Sequence, residues 1–329
     1  MRDVLKRILE QKGFSESRAL EAAELFAGNS LCGVYSHGLN RFPRVIDYLD
    51  RGLIDPQAEA TAELQAGALE RWNGHRGFGP LNAKKAMDRA CDLAFQYGIG
   101  IVALGNNNHW MRGGSYGFQA ADRGCIGICW TNTLPNMPPW GGKDVKIGNN
   151  PIVFAIPRAN GKHVVIDCAV AQFSYGKMES YKFQGRQLPV YGGYDTQGRL
   201  TTDPEEIEQS MRVLPMGYWK GSGISIALDL IATVLTDGNP VFRIGTFEEE
   251  LGLTQIMIAV DPSKGNPPKR TETIVEEILR DVKSAAPMDP EKPVLYPGEP
   301  ESIAREENLA HGIPVEESIW NRVSEMLRE

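Results

Sequence analysis

The chain has 329 residues, a hydrophobic fraction of 42% and a formal net charge of −7. This length and composition predict one large or two medium globular domains with a substantial core. The negative balance, with no local run of Lys and Arg, argues against a nucleic-acid or anionic-membrane partner, because both require a concentrated positive field.

The cysteines do not have the pattern of a disulfide framework, because their number is odd and the chain is long. They are Cys32, Cys91, Cys125, Cys129 and Cys168. The first residues lack the apolar core of a signal peptide, and no apolar run approaches the roughly 20 residues that span a bilayer. We therefore expect a reduced, cytoplasmic protein.

The N-terminal third is predicted to be largely helical. Apolar residues at helical spacing indicate a first helix that stops at Gly13. A second helix is expected from an N-cap at Ser15 to Gly28. A third short helix has Pro43 in its first turn, and a longer helix extends from Pro80 to Gly98.

The middle of the chain changes to short apolar segments rich in Val and Ile, which are typical of strands. The predicted strands are IGIVALG, CIGICWTNT, IVFAIP, HVVIDCAV and TQIMIAV. Further helices are predicted at GISIALDLIATVLTDG, ETIVEEILRDVKSA, ESIAREENLAHG and VEESIWNRVSEMLRE. Strands and helices do not alternate regularly, so we expect an α/β fold with a mixed sheet.

Several common motifs are missing from the sequence. No G-x-G-x-x-G follows a strand, and neither a P-loop nor G-x-S-x-G occurs. The histidines and cysteines form no pair at metal-ligand spacing, so we expect no metal site. A classical dinucleotide fold is not indicated.

A histidine and an arginine lie four residues apart, at His37 and Arg41 in GVYSHGLNRFPR. If the segment is helical, both side chains share one face. A guanidinium matches the geometry of a carboxylate, and an imidazole can protonate a carbonyl oxygen as hydride arrives. The pair therefore suits reduction of a 2-keto acid. The alternative is an ordinary helix start with a surface histidine beside a solvated arginine.

Three further segments each allow two interpretations. The segment Asn106–Gly117 is either a functional loop at a strand end, containing His109 and Arg112, or a simple asparagine-rich turn. Lys220 to Gly223 directly precede an apolar helix and could hold a phosphate, or form only a glycine turn. Asp167 is an acid in an apolar strand, which could orient a histidine or mark an exposed strand end.

The sequence resembles the malate/L-lactate dehydrogenase family, whose members lack a Rossmann fold. The resemblance rests on YSHGLNRFPR, NNNHWMRGGSYG, MPPWGG, IGNNPIVFAIP, QLPVYGGYD and LPMGYWKGSGISIALDLIATVLTDG, and it extends from the first helices to the last. It implies a non-Rossmann mixed-sheet cofactor domain over residues 76–290. A helical domain would combine residues 1–75 with the C-terminal helices of residues 291–329. A homodimer with its site near the subunit interface is also implied.

The resemblance also implies roles for particular residues. His37 would donate the proton, Arg41 would hold the substrate carboxylate, and Asp167 would stabilise the charged form of His37. His109 would contact hydroxyls or a second carbonyl of a small keto sugar acid. The implied cofactor contacts are His163, Val164, Val165, Ile166, Asp167, Cys168, Ala169, Trp219, Lys220, Gly298, Glu299 and Pro300.

The cofactor and the substrate remain open at this level. Related sequences have a histidine where this chain has Glu299, an acid that would bind ribose hydroxyls and repel a 2′-phosphate, so NADH is favoured over NADPH. Other keto acids of malate, lactate, ureidoglycolate or sulfolactate type are the nearest alternatives. The loops around Trp110, Met111 and Pro138–Trp140 would distinguish them. A non-catalytic sugar-acid binding protein on the same scaffold is a further alternative.

Overall fold

The computed structural model describes residues 1–327, apart from the side chain of Ser180. Its helices are α1 (Arg2–Gln11), α2 (Glu16–Leu31), α3 (Phe42–Asp50), α4 (Gly79–Tyr97), α5 (Gly114–Asp122), α6 (Tyr175–Phe183), α7 (Pro204–Ser210), α8 (Trp219–Thr236), α9 (Val241–Ile244), α10 (Pro268–Lys283), α11 (Glu299–His311) and α12 (Glu317–Glu325). Its strands are β1 (Thr61–Ala66), β2 (Leu69–Asn73), β3 (Ile99–Asn107), β4 (Ile126–Thr131), β5 (Ile152–Ile156), β6 (Val164–Cys168), β7 (Gly193–Tyr194), β8 (Leu200–Thr201) and β9 (Leu253–Val260).

The main sheet has seven strands in the order β1-β2-β3-β9-β4-β5-β6. Strands β2 and β3 are parallel, and the other neighbouring pairs are antiparallel. A Rossmann sheet is built from parallel strands joined by crossover helices. The predicted non-Rossmann mixed sheet is therefore confirmed.

The core lies on both faces of this sheet. Helices α4 and α5 cover one face, where Val102, Leu104 and Met257 are buried. Helix α8 covers the other face, against Ala103 and Ile256. Neighbouring strand residues thus point into different clusters, as the two-residue period of a strand requires. Coverage on both faces explains why central strands such as β4 and β9 appear in the sequence as continuous apolar runs.

A separate apolar cluster joins the two ends of the chain. Leu5, Phe26 and Phe42, on α1, α2 and α3, are buried together with Val323 of α12. The last two residues of the predicted C-terminal helix, 328 and 329, lie outside the described residues. The exact domain boundaries at residues 75 and 290 stay a prediction.

Several predicted elements need correction. Helix α2 continues past the expected stop at Gly28 to Leu31, and Ser15 makes no side-chain capping bond. Helix α8 begins at Trp219, so Lys220 to Gly223 form its first turn instead of preceding it. Residues 1–75 are helical only as far as Asp50, because β1 and β2 add a hairpin to the sheet edge.

The segments that follow β3, β4 and β6 and those that precede β5 and β9 all lie at one edge of the sheet. The pairs Asn107 with Leu253, Thr131 with Gln255 and Ile152 with Cys168 show which strand ends are adjacent. Strands β3, β4 and β6 end where β5 and β9 begin. We call this border the site edge. None of the helices in residues 1–327 is long and apolar enough to cross a membrane.

Candidate active site

The segment with His37 and Arg41 is not a continuous helix. It forms two single-turn 3₁₀ helices, Tyr35–His37 and Leu39–Arg41, separated by Gly38. A Cβ at Gly38 would collide with the hydroxyl of Ser30, so a glycine is required there. The condition for a shared helical face is therefore not met in this segment, yet both side chains line one cavity of about 710 Å³.

Helix α2 fixes the backbone of this segment. The Asn29 side chain donates to the carbonyl oxygen of His37 at 2.9 Å. The Ser30 hydroxyl accepts from the backbone N–H of Leu39 at 2.9 Å. Both α2 residues are buried, so their hydrogen bonds exchange little with water. The position of His37 is therefore set by the helical part of the molecule.

The site edge supplies the facing wall of the cavity. The loop after β3 brings His109, the segment after β4 brings Thr133, and β6 brings Asp167 and Ala169. Glu250 enters from the segment before β9. The cavity therefore lies between the helical part and the sheet, where loops on a rigid scaffold commonly position functional groups.

Two histidine rings lie side by side in this cavity. His37 and His109 have centroids 5.9 Å apart and ring planes only 16° apart. The Ser36 hydroxyl lies 3.0 Å from Nδ1 of His37. In contrast, Nδ1 of His109 accepts the backbone N–H of Met111 at 3.0 Å. An acceptor nitrogen carries no proton, so neutral His109 holds its proton on Nε2.

Positive charge surrounds His37. Burial lowers its pKa from 6.5 to about 4, and the guanidinium groups of Arg41 and Arg112 act in the same direction. Burial also lowers the pKa of Arg41, with a smaller contribution from the charge of Arg44. Within residues 1–327, Arg41 makes no side-chain hydrogen bond or salt bridge, so its guanidinium is available to an anionic ligand.

Asp167 lies in the same cavity but does not pair with a histidine. Its carboxylate accepts the backbone N–H of Gly114 at 2.7 Å. Burial raises the pKa of this carboxyl, partly offset by that hydrogen bond and by the charge of Arg112. The expected stabilisation of charged His37 by Asp167 has no direct contact to support it within the described chain.

Two of the three cofactor segments expected from the sequence come together. The backbone N–H of Val165 donates to the carbonyl oxygen of Pro297 at 3.0 Å. Gly298 is so close to β6 that a Cβ there would lie 2.9 Å from the His163 carbonyl oxygen and the Val165 nitrogen. Its φ of 90° also favours glycine. Residues 163–169, around β6, and residues 298–300, at the start of α11, therefore lie against each other.

Other implied cofactor contacts have different surroundings. The His163 ring is buried between Asp122, 2.9 Å from Nε2, and the backbone N–H of Arg158, which donates to Nδ1 at 3.0 Å. Glu299 is paired with Lys283 and accepts the backbone N–H of Tyr296 at 3.1 Å. Neither Trp219 nor Lys220, at the start of α8, is among the residues lining the 710 Å³ cavity.

A second cavity of about 620 Å³ adjoins the first. It lies between α2, α5 and α11, and Arg112 lines both cavities. Arg112 is only 5% exposed, and one of its terminal nitrogens, Nη2, has no hydrogen-bond partner among the described residues. Its closest carboxylate is that of Glu301, 3.8 Å from this nitrogen. Such a buried, incompletely paired cation is suited to an anion that lies across the two cavities.

Sequence reasoning missed two residues of this site. Ser36 directly precedes His37, and its hydroxyl is adjacent to the imidazole only because the first 3₁₀ turn folds it back. Glu250 is the third residue of an acidic run, EEE, which is typical of a solvated surface. No local signal distinguishes Glu250 from its neighbours, because its position depends on the connection into β9.

The chain matches one protein family over nearly its whole length. The family model described as malate/L-lactate dehydrogenase matches residues 1–324. The chain therefore belongs to this family of oxidoreductases. Membership of a dehydrogenase family implies a nicotinamide cofactor.

Within this family, the chain is similar to several individual proteins. The chain is 44% identical over 327 residues to the 2,3-diketo-L-gulonate reductase of Pasteurella multocida, covering 99% of this chain and 98% of that protein. It is 46% identical over 324 residues to the protein of the same name from Escherichia fergusonii, with coverages of 98% and 97%. Sulfolactate dehydrogenase from Methanocaldococcus jannaschii superposes with a TM-score of 0.91 at 29% identity, over 99% of this chain and 94% of that one.

Proposed function

We propose that the protein catalyses the NADH-dependent reduction of 2,3-diketo-L-gulonate to 3-keto-L-gulonate. The relatives named 2,3-diketo-L-gulonate reductase support the substrate, since they match nearly the full chain at about 45% identity. The principal structural support is that His37 and Arg41 line the same cavity and that the Arg41 guanidinium has no ion-pair partner in residues 1–327.

Arg41 binds the carboxylate of the keto acid. A guanidinium offers two parallel N–H donors to a carboxylate, which fixes the orientation of the substrate as well as its position. Because Arg41 has no competing partner in residues 1–327, substrate binding breaks no existing ion pair. The bound carboxylate then determines which carbonyl carbon faces β6.

His37 protonates the oxygen that develops negative charge as the carbonyl is reduced. It donates one proton, from the ring nitrogen Nε2, while the Ser36 hydroxyl bonds to Nδ1. The carboxylate on Arg41 offsets one of the positive charges that depress the pKa of His37, so binding of the anion favours the protonated ring. General acid catalysis of this kind typically contributes about 10²- to 10⁴-fold.

His109 acts as a hydrogen-bond donor. Because its Nδ1 accepts from Met111, the proton on Nε2 can bond to a hydroxyl or to the second carbonyl of the substrate. Burial and the nearby charge of Arg41 lower the pKa of His109 well below its usual range, so the ring stays neutral. The second histidine therefore positions the substrate and does not exchange a proton with it.

The cavities fit a dinucleotide cofactor, which supplies the hydride when bound. Asp167 and Ala169 would contact its nicotinamide end in the first cavity. Arg112, with its incompletely paired nitrogen, would hold the phosphates. Residues His163 to Cys168 and Gly298 to Pro300 would form the surface beneath it. Trp219 and Lys220 remain proposed contacts without a place on either cavity wall.

The preference for NADH is supported by the charges of the second cavity. Its lining includes five carboxylates and four cations, which leave no net positive charge for a 2′-phosphate. Glu299 would reach the ribose only if its pairing with Lys283 opened.

The five cysteines are free, which supports a reducing, cytoplasmic location.

The proposed homodimer is supported by an apolar surface on α8 and α9. Leu230, Val234 and Phe242 are 60%, 76% and 67% exposed, and exposed apolar side chains of this size are typical of interaction sites. A second copy of the chain would bury them. Light scattering of the purified protein should give about twice the chain mass of 36.3 kDa. A monomer would contradict this part of the proposal.

A panel of 2-keto acids with NADH and NADPH tests the proposed reaction. Oxidation of NADH should be fastest, by kcat/KM, with 2,3-diketo-L-gulonate, and NADPH should be a poorer reductant. A clear preference for another keto acid would replace the proposed substrate. Binding of a keto acid without oxidation of either cofactor would favour a binding protein.

A further inference from the structure

Glu250 places an acceptor inside the substrate cavity. Its Oε1 accepts the backbone N–H of Leu134 at 3.2 Å, which anchors the side chain to the segment after β4. Within residues 1–327, its Oε2 makes no hydrogen bond, and no salt bridge joins it to Arg41 or Arg44. One carboxylate oxygen is therefore left for a ligand.

The neighbouring basic side chains are not equivalent. Arg44 donates to the Tyr48 hydroxyl at 2.8 Å and lies 3.8 Å from Glu249, so it is engaged by its own surroundings. In the described part of the chain, residues 1–327, Arg41 has no hydrogen-bond or ion-pair partner of this kind. The negative charge of Glu250 partly offsets the lowering of the Arg41 pKa, which burial causes. Burial raises the pKa of Glu250, and the Leu134 hydrogen bond and the charges of Arg41 and Arg44 oppose that rise. Arg41 and Glu250 thus place a guanidinium and a carboxyl group, with no bridge between them in residues 1–327, on one cavity wall.

The two acids of the cavity lie far apart along the site edge. Glu250 precedes β9 and Asp167 lies near the end of β6, with β4 and β5 between these strands. Three strand spacings correspond to about 14 Å. Asp167 therefore belongs to the proposed nicotinamide side, and Glu250 belongs to the opposite end of the cavity, beside Arg41.

We propose that Glu250 determines substrate specificity by accepting hydrogen bonds from hydroxyl groups of the keto acid and by repelling a second carboxylate. An ionised carboxylate has only acceptor sites, so its partner must be a donor such as a hydroxyl. A dicarboxylic keto acid would place two negative charges together in a poorly solvated site, which disfavours binding. Glu250 thus selects polyhydroxylated chains, and this assignment rests on the proposed keto-acid reduction.

The test compares Glu250→Gln with wild type on oxaloacetate, pyruvate and 2,3-diketo-L-gulonate, each with NADH. Glutamine keeps an oxygen for the Leu134 N–H but removes the charge. We expect kcat/KM for 2,3-diketo-L-gulonate to fall roughly 10-fold and for oxaloacetate to rise roughly 10-fold. Pyruvate has neither a hydroxyl group nor a second carboxylate, so its kcat/KM should change less than about 3-fold. Glu248→Gln, on the exposed side of the same loop, should match wild type on all three.

Equal changes for all three substrates would overturn the proposal, because Glu250 would then act only through Arg41 or through folding. The proposal would also be overturned if Glu250→Gln left the ratio of kcat/KM for oxaloacetate to that for pyruvate at its wild-type value. Thermal unfolding of both variants checks their stability. If wild type reduces pyruvate but not 2,3-diketo-L-gulonate, the proposed substrate fails, and the ratio of oxaloacetate to pyruvate still decides the role of Glu250.

Discussion

The two histidines of the cavity are held in different ways. His37 lies in a single 3₁₀ turn, and its Nδ1 bonds to a hydroxyl that can either donate or accept. His109 follows a central strand, and its Nδ1 accepts a backbone N–H that can only donate. The buried side chain of Asn107 further anchors that strand end by donating to Gln255 at 2.6 Å.

We infer that this difference separates the proposed proton donor, His37, from a fixed hydrogen-bond donor, His109. The Ser36 hydroxyl can rotate to suit either charge state of His37. Protonation of His109 would require loss of its hydrogen bond from Met111, because both imidazolium nitrogens donate. Two adjacent rings of the same residue type therefore have different chemical capacities, which are set by one neighbouring atom each.

Removal of His37 should have the largest effect. We expect His37→Ala to reduce kcat by about 10²- to 10⁴-fold, because the general acid is lost. NADH binding, followed by fluorescence titration, should change little. His311→Ala, an exposed histidine on α11, provides the control. Unchanged turnover in His37→Ala would remove the proton-donor assignment.

The pH dependence should sharpen the comparison. Since the pKa of His37 is lowered to about 4 in the free protein, kcat/KM for reduction should fall about tenfold per pH unit above that value. The bound carboxylate counters the charge of Arg41, so kcat should stay level to a higher pH. Profiles between pH 5 and 9 would check this prediction. A kcat that begins to fall at a lower pH than kcat/KM does would contradict it.

Replacement of Arg41 should affect keto acids and cofactor unequally. Arg41→Ala should raise KM for keto acids roughly 10- to 100-fold, because a charge-assisted pair with the carboxylate is lost. KM for NADH should change less than about twofold. Arg7→Ala, on the exposed face of α1, is the matched control. If both constants rose together, Arg41 would have a structural role.

His109→Gln should give the smallest effect. Glutamine retains a side-chain N–H donor, so we expect kcat/KM for keto acids to fall only about 2- to 10-fold. The shape of the pH profile should be that of wild type, because His109 does not titrate in the working range. A loss as deep as that of His37→Ala would contradict the assignment of His109 as a residue that only positions the substrate.

The sequence predicted the parts of the fold that depend on local pattern. Strands β4 and β9 are buried on both faces and read as apolar runs. Strand β1 is exposed along its whole length and has the polar sequence TAELQA, so no periodicity indicated it. Helix α2 passes Gly28 because that glycine lacks the positive φ of a helix-ending residue, and Gly33, with φ 77°, has that conformation instead.

The site could be predicted only where chemistry is local. His37 and Arg41 are close in the sequence, and their residue types suggested a keto acid. The Asp167–Gly114 hydrogen bond and the entry of Glu250 depend on strand order, which no local pattern contains. The pairing of Glu299 with Lys283 depends likewise on how the chain brings the first residue of α11 to the last residue of α10.

The central claim is that His37 protonates the keto oxygen while Arg41 holds the carboxylate. A crystal structure with NADH and a 2-hydroxy-acid or oxamate-type inhibitor tests this claim most directly. We expect Nε2 of His37 within about 2.6–3.2 Å of the oxygen on C2 and Arg41 paired with the inhibitor carboxylate. Asp167 should lie on the nicotinamide side. A His37 ring directed away from that oxygen, with another proton-bearing group in its place, would contradict the account.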